Sequence, residues 1–259
     1  MQEQSQSQEP PQKQPQKQNM FEGSGATILF NDNPTKMLVF ALRNPQYVKN
    51  EKKESSFEYP GGKVDESDYS NTKTPEEAAI FAAVREWDEE VFSALLSDES
   101  DHVKWRGMLN QYLRQYLEKS TYEDVKGAKA LIRMFMPEID LSENHSVENN
   151  GQMMLDLLRL VDSKFQKQFE NDSSQVPLVG VISIPVENMV TAIKNISTKI
   201  SELEKVTPAK DLMKTIRPFV EAEKIVGHRL HSGTPVEQHL RVFNFFTLRA
   251  ILQKTEYLK

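Results

Sequence analysis

The run Arg85-Glu86-Trp87-Asp88-Glu89-Glu90 carries the residue types and spacing best suited to chemistry. At the α-helical period of about 100° per residue, Glu86, Glu89 and Glu90 fall on one side. Ile80, Val84, Trp87 and Val91, at i, i+4, i+7 and i+11, form an apolar stripe on the other. One face then packs on a core while the opposite face presents three carboxylates within about one turn. Like charges so close repel and cost stability unless something neutralises them. Mg²⁺ or Mn²⁺ would do so, because these hard cations take oxygen ligands and keep positions for water and phosphate. Taken alone, Glu-x-x-Glu-Glu also fits a solvated acidic helix face. A second feature narrows the choice. Tyr59-Pro60-Gly61-Gly62-Lys63-Val64 is an apolar-flanked Pro-Gly-Gly that no regular element would hold in its interior. It lies upstream at a distance that lets the helix pack beside it.

The elements that must position these groups follow from pattern. Residues 26–30 (ATILF) and 36–42 (KMLVFAL) read as paired strands around an NDNP turn. Residues 43–56 and 65–73 read as loops. Thr74-Pro75-Glu76-Glu77 is a helix start, with Thr as N-cap and Pro in the first turn, and the helix is expected to run to about Leu96. Residues 102–119 and 149–169 carry amphipathic helical stripes, and 128–139 (AKALIRMFMPEI) is either strand or helix. Residues 176–184 (VPLVGVISI) read as a buried strand. Helices are expected from Pro185 to about Ile196, over 208–225 and over 237–253. No internal repeat is present. This order predicts an α/β or α+β domain over 21–259 with a helix-rich insertion at about 98–172 and extra C-terminal helices. Residues 1–20, nearly all Gln, Ser, Glu, Pro and Lys, have no apolar surface to offset ordering entropy and read as a disordered tail.

Composition narrows the function classes. The 259 residues are 38% hydrophobic and 27% charged, an ordinary globular balance. A net charge of -6 argues against a strongly basic nucleic-acid-binding domain and leaves room only for a local basic groove. With no cysteine there is no disulfide, no thiolate zinc site and no Cys nucleophile. The longest apolar runs, 37–42 and 176–185, are far short of the ~20 residues that span a bilayer. The N-terminus lacks the apolar core of a secretory signal, so the chain is expected to be soluble and cytoplasmic. His228, His231 and His239 are not at metal-ligand spacing, and 231–234 (HSGT) reads as a turn. Phe243, Phe245, Phe246 and Leu248 cannot share one helix face, so most belong to the core, with room for one to stack on a base. The pairs Met134/Met136 and Met153/Met154 read as core filler.

Residues 59–64 followed by Ala82-Ala83-Val84-Arg85-Glu86-Trp87-Asp88-Glu89-Glu90 resemble the Nudix hydrolase signature: Gly, five residues, Glu, seven residues, then Arg-Glu-apolar-x-Glu-Glu-x-Gly-apolar. Seven residues separate Glu77 from Arg85, and Trp87 fills the apolar position. Residues 36–43 resemble the family's strand that ends in Arg or Lys, and 181–189 its late strand and following helix. Two departures stand out. Fourteen residues separate Gly62 from Glu77, and Phe92 stands where the signature has Gly. The upstream acid is therefore Glu77 by spacing from Arg85, with Glu76 or Glu66 as substitutes.

The resemblance implies a Nudix-like α/β/α sandwich with a mixed sheet. It also implies Mg²⁺- or Mn²⁺-dependent hydrolysis of a phosphoanhydride bond in a nucleoside diphosphate linked to another moiety. It makes Glu86, Glu89 and Glu90 metal ligands together with Gly62, with Glu86 also a base or base-orienting group. It gives Arg85 the ion pair that steadies the acids. Arg43, Gly61, Gly62 and Lys63 become the substrate-binding set, although Arg43 and Lys63 fit surface cations equally well. Glu138, Asp140 and Glu143 are candidates for a further downstream carboxylate. The alternative is a catalytically silent Nudix-fold module that binds a nucleotide or a protein. The long insertion suits a large substrate, such as a capped RNA end, a dinucleoside polyphosphate or an inositol pyrophosphate, and the acidic balance disfavours long RNA.

Overall fold

The computed structural model describes residues 20–47, 49, 56–95, 100–126, 131–141 and 150–259; the tail expected over 1–20, save Met20, and Glu143 lie outside them. β1 (Gly23–Ala26) and β2 (Ile28–Asp32) follow one another, and β3 (Thr35–Arg43) folds back on β2. Leu29, Leu38 and Phe40 enter one core and Ile28, Phe30, Val39 and Ala41 the other, the period of two expected of a sheet covered on both faces. β4 (Ser56–Glu58) and β5 (Gly61–Lys63) flank Tyr59-Pro60. The stretch 65–73 is not all loop: α1 (Glu66–Ser70) forms there, closed by a capping box between Asp65 and Asp68. Such local hydrogen bonding leaves no trace in hydrophobic periodicity.

α2 (Pro75–Glu90) starts as expected, with the Glu77 N–H donating to Thr74 Oγ1 at 3.2 Å. It ends at Glu90, short of Leu96. Val91, Phe92, Ala94 and Leu95 are all buried, and four inward residues in five cannot share one helical face. The chain tightens into a 3₁₀ turn, Phe92–Ala94, with Phe92 packed on Trp87 at 5.7 Å between ring centroids. The buried stripe is also different from expectation. Ala78, Ala79, Ala82, Ala83 and Trp87 face inward, and Ile80 and Val84 are only partly buried. Four alanines let the helix backbone approach β1 closely. There the Ser24 hydroxyl donates to Ala79 O at 2.6 Å, and the Trp87 indole donates to Ala26 O at 3.0 Å.

The described part of the segment 98–172 is helix-rich, as expected, and it also supplies strands to both sheets. It holds α3 (Ser100–Leu117), β6 (Thr121–Lys126), β7 (Leu131–Met136), β8 (Glu138–Asp140) and α4 (Asn150–Asn171). From Leu131 onward the ambiguous apolar run is therefore strand. Met134, Phe135 and Met136 are buried at consecutive positions because both faces are covered. β9 (Leu178–Pro185) matches its expectation. α5 (Val186–Val206) continues past Ile196 because Ile193, Ile196 and Ile200 prolong the buried stripe. α6 (Ala209–Ala222) stops before β10 (Ile225–Arg229), which hairpins with β11 (Pro235–Leu240). Only then comes α7 (Val242–Lys254), so the helix expected over 237–253 begins as strand. Gly233, at φ +68°, takes the left-handed conformation that the hairpin turn needs.

One sheet has four strands in the order β5-β1-β7-β6, and the other seven in the order β4-β11-β10-β9-β3-β2-β8. β4 pairs with β3 as well as β11, and Phe57 is registered to both Leu42 and Leu240. Strands β3, β9, β10, β11 and β4 thus close on themselves. α2, α3 and α4 cover one side and α5, α6 and α7 the other, a mixed α/β arrangement in layers. Buried Asp162 of α4 ties these parts together. It accepts from the N–H groups of Val181 (2.8 Å) and His231 (2.9 Å), and pairs with Arg229 at 2.8 Å. No helix among the described residues is long and apolar enough to cross a membrane.

Candidate active site

Gly61, Gly62 and Lys63 are β5, an edge strand beside β1. Ser24 is registered to Gly62, the Ala26 N–H donates to Pro60 O, and the Val64 N–H donates to Glu22 O. Alternation along the ladder therefore turns the N–H and C=O of Gly62 toward β1, and those of Gly61 and Lys63 toward the open edge. The carbonyl turned outward next to Glu90 belongs to Gly61, not to Gly62, the residue the signature marks for the metal.

Helix α2 closes this edge. Arg85 Nη2 donates to Lys63 O at 2.8 Å, and the Gly61 N–H bonds the Glu90 carboxylate. Glu86 lies against Gly62 so closely that a Cβ there would overlap its carboxylate. Only glycine permits that approach.

Arg85 is the hub of the acidic face. Its Nε and Nη2 bond the two oxygens of buried Asp68 at 3.3 and 3.2 Å, and its Nη1 reaches Glu86 at 2.8 Å and Glu89 at 3.3 Å. Burial opposes the charge on Arg85, but the bonds and charges of Asp68, Glu86 and Glu89 outweigh it and raise its pKa. Asp68 is absent from the expected set. Yet five residues separate it from Gly62, the spacing of the signature's upstream acid. The additional residues lie after that acid rather than before it, and this spacing was the signal available in the sequence. Glu77 serves the helix start instead, its Oε2 accepting from the Lys73 N–H at 2.7 Å, while Glu76 and Glu66 are exposed.

Crowding sets the protonation of these acids. Burial raises the Glu86 carboxyl even though Arg85 pulls it down. Glu90 is pushed up to about 8, first by burial and then by the charges of Glu58 and Glu86. Glu89 is exposed. Asp88, on the opposite side, is lowered: burial is outweighed by Arg106 at 2.6 Å and Asn110 at 2.7 Å, which pin α3 to the end of α2. Among the described residues, no three carboxylate or imidazole groups stand close enough together to cage a metal ion as placed.

A second wall faces the acids. Glu58 of β4 bonds Arg241 at 2.6 Å and lies 3.6 Å from Arg43. These residues, with Tyr47, Tyr59, Gly61, Glu89, Glu90, Phe243 and Asn244, line a cavity of about 370 Å³. A more apolar hollow of about 450 Å³ adjoins it across Tyr59, Gly61 and Phe243.

No model of a known protein family matches this chain, and no curated protein matches it.

Of the expected set, the fold brings Arg43, Gly61, Glu89 and Glu90 to one cavity and Gly62 and exposed Lys63 to the adjoining hollow; Glu86 sits against Gly62 and Arg85 bonds Lys63 O, and neither lines either space. Glu138 and Asp140 lie on β8 at the far edge of the larger sheet and line neither hollow. Glu138 pairs instead with Lys36 at 2.7 Å. Phe245 and Leu248 are core, as are Met134, Met136 and Met154, whereas Met153 is exposed. Phe243, 38% exposed, is the aromatic ring of its group that reaches the cleft. Glu58 and Arg241 were missed. Glu58, an acid between Phe57 and Tyr59, had a local signal in its aromatic neighbours. Arg241 had none, since only tertiary folding carries it there.

Proposed function

We propose that this chain hydrolyses a phosphoanhydride bond in a nucleoside diphosphate linked to another moiety, using Mg²⁺ or Mn²⁺, as the Nudix hydrolases it resembles do. The observation that carries the reading is the seating of the Arg85–Glu90 run on the Gly61–Gly62 edge. Glu86 abuts the bare Cα of Gly62, Glu90 takes the Gly61 N–H, and Arg85 is locked by an acid at the signature's spacing. A solvated acidic helix face has no need of this arrangement.

The donor set fits a hard cation. Glu86, Glu89 and Glu90 supply carboxylate oxygens beside the outward Gly61 carbonyl, and no histidine or cysteine intrudes. Bound there, the cation would screen the phosphate charge and orient the attacking water. The chain's residues do the rest. Arg85 fixes Glu86 and Glu89. Glu86 is placed at the strand edge to hold or accept a proton at the water. Gly62 lets the Glu86 carboxylate seat against the strand, since no Cβ blocks it.

The test is a hydrolysis screen over nucleoside diphosphate derivatives with Mg²⁺ or Mn²⁺, reading the released phosphate products. Turnover that requires metal and is lost in Glu86→Gln supports the reading. Tight nucleotide binding without turnover on any substrate would favour the silent binding module.

A further inference from the structure

Arg43 ends β3, Glu58 ends β4, and Arg241 follows β11. Because β4 pairs with both β3 and β11, closure of that ring gathers positions 43, 58 and 241 on one rim. The same oxygen of Glu58, Oε2, lies 2.6 Å from Arg241 Nη1 and 3.6 Å from Arg43 Nη1. Each guanidinium offers five N–H donors in a planar fork, and one oxygen cannot match two forks. Both side chains remain accessible, 46% for Arg241 and 29% for Arg43. Both line the cavity that Glu89 and Glu90 close on its other side. Two converging guanidinium forks suit a phosphate better than a carboxylate already shared between them. The adjoining hollow has a different character. Its floor is bare backbone at Gly23, Gly61 and Gly62, its walls include Ile132, Tyr59 and Phe243, and among the described residues Lys63 is its one cation. Extra negative charge on a substrate is therefore served at the arginine end.

We propose that Arg43 and Arg241 form a second anion subsite, which Glu58 fills in the ligand-free protein and yields to a phosphate. Resting on the hydrolase reading above, this sets the substrate class. It is a diphosphate extended by a further phosphate, as a longer polyphosphate chain or a phosphorylated partner moiety, rather than one ending in a neutral sugar or alcohol.

Calorimetric titration of the full chain with inorganic pyrophosphate in EDTA tests the subsite without metal or turnover. The wild type binds, and added salt weakens it. Arg43→Gln and Arg241→Gln each weaken binding about tenfold or more, the scale of a lost charge-assisted hydrogen bond. Arg241→Lys, keeping the charge but not the fork, falls between. Glu58→Gln binds as tightly or more tightly, because the competing carboxylate is gone; a purely structural Glu58 would give the opposite sign. Absence of wild-type binding at millimolar pyrophosphate, unchanged binding in both glutamine variants, or lost binding in a folded Glu58→Gln overturns the subsite. Hydrolysis is read separately. Arginine-dependent pyrophosphate binding with no turnover anywhere sinks the hydrolase reading alone. Turnover with no loss of kcat/KM for the longer phosphate chain in Arg241→Gln sinks the subsite alone.

Discussion

Glu90→Gln is expected to stabilise the metal-free protein in proportion to pH. Glu90 is half-buried beside Glu58 and Glu86, and its carboxyl is pushed up to about 8 from an ordinary 4.5, first by burial and then by their charges. An acid whose folded pKa lies above its unfolded pKa holds a proton in the fold that the unfolded chain releases first. The wild type therefore loses stability as pH rises from about 4.5, and the loss is complete above about 8. At about 1.4 kcal/mol per pK unit, ionising Glu90 costs roughly 3 kcal/mol at pH 7 and up to about 5 above pH 8. Glutamine mimics the protonated acid and removes that cost. The difference between variant and wild type should be near zero at pH 4.5 and widen through neutrality. At about 2–4 °C per kcal/mol, the variant should melt about 10–20 °C higher at pH 8.5. The assay is thermal or denaturant unfolding in EDTA from pH 4.5 to 9. Mn²⁺ added at pH 8.5 should then raise the melting temperature of the wild type more than that of the variant. With a cleaved substrate in hand, the same variant should lose about 10²–10³ in rate. A stability difference that stays constant with pH, or a variant less stable than wild type at pH 8.5, would refute the reasoning that burial and neighbouring charge hold Glu90 protonated in the fold.

Asp68→Ala leaves Arg85 without its buried partner and should cost about 3–5 kcal/mol in urea unfolding, the scale for breaking a buried pair. It should also depress turnover, although Asp68 touches no substrate. Gly62→Ala puts a Cβ into the Glu86 carboxylate, so metal affinity measured by titration should fall more steeply than stability. Amide exchange over Leu131–Met136 should be slow and unchanged by Mg²⁺ and nucleotide, because β7 is an inner strand rather than part of a lid. Fast exchange there, or protection that appears only with ligand, would contradict the topology. Deleting residues 1–19, whose composition supplies no core, should leave the melting temperature unchanged.

What the sequence determined by itself was mostly local. Thr74-Pro75 set the start of α2 because capping needs only neighbouring residues. The spacing of Glu86, Glu89 and Glu90 set them on one face because the helical period is fixed. A nearly continuous apolar, β-branched run marked β9 because a strand covered on both faces favours apolar residues at successive positions. Competition between distant parts was not legible. Helix α2 stops at Glu90 because Phe92 finds Trp87 and a buried turn, a choice made by the core and not by helix propensity. Residues 131–140 are strands because β1 and β2 stand ready to pair with them. In the site, Asp68 was within reach of the sequence through its spacing from Gly62, whereas Arg241 was not. Its approach to Glu58 spans 183 positions and depends on β4 closing between β3 and β11. The acids share one helix and so are written in a single run of sequence. The cations that face them come from separate strands, and only the closed ring of strands brings those together.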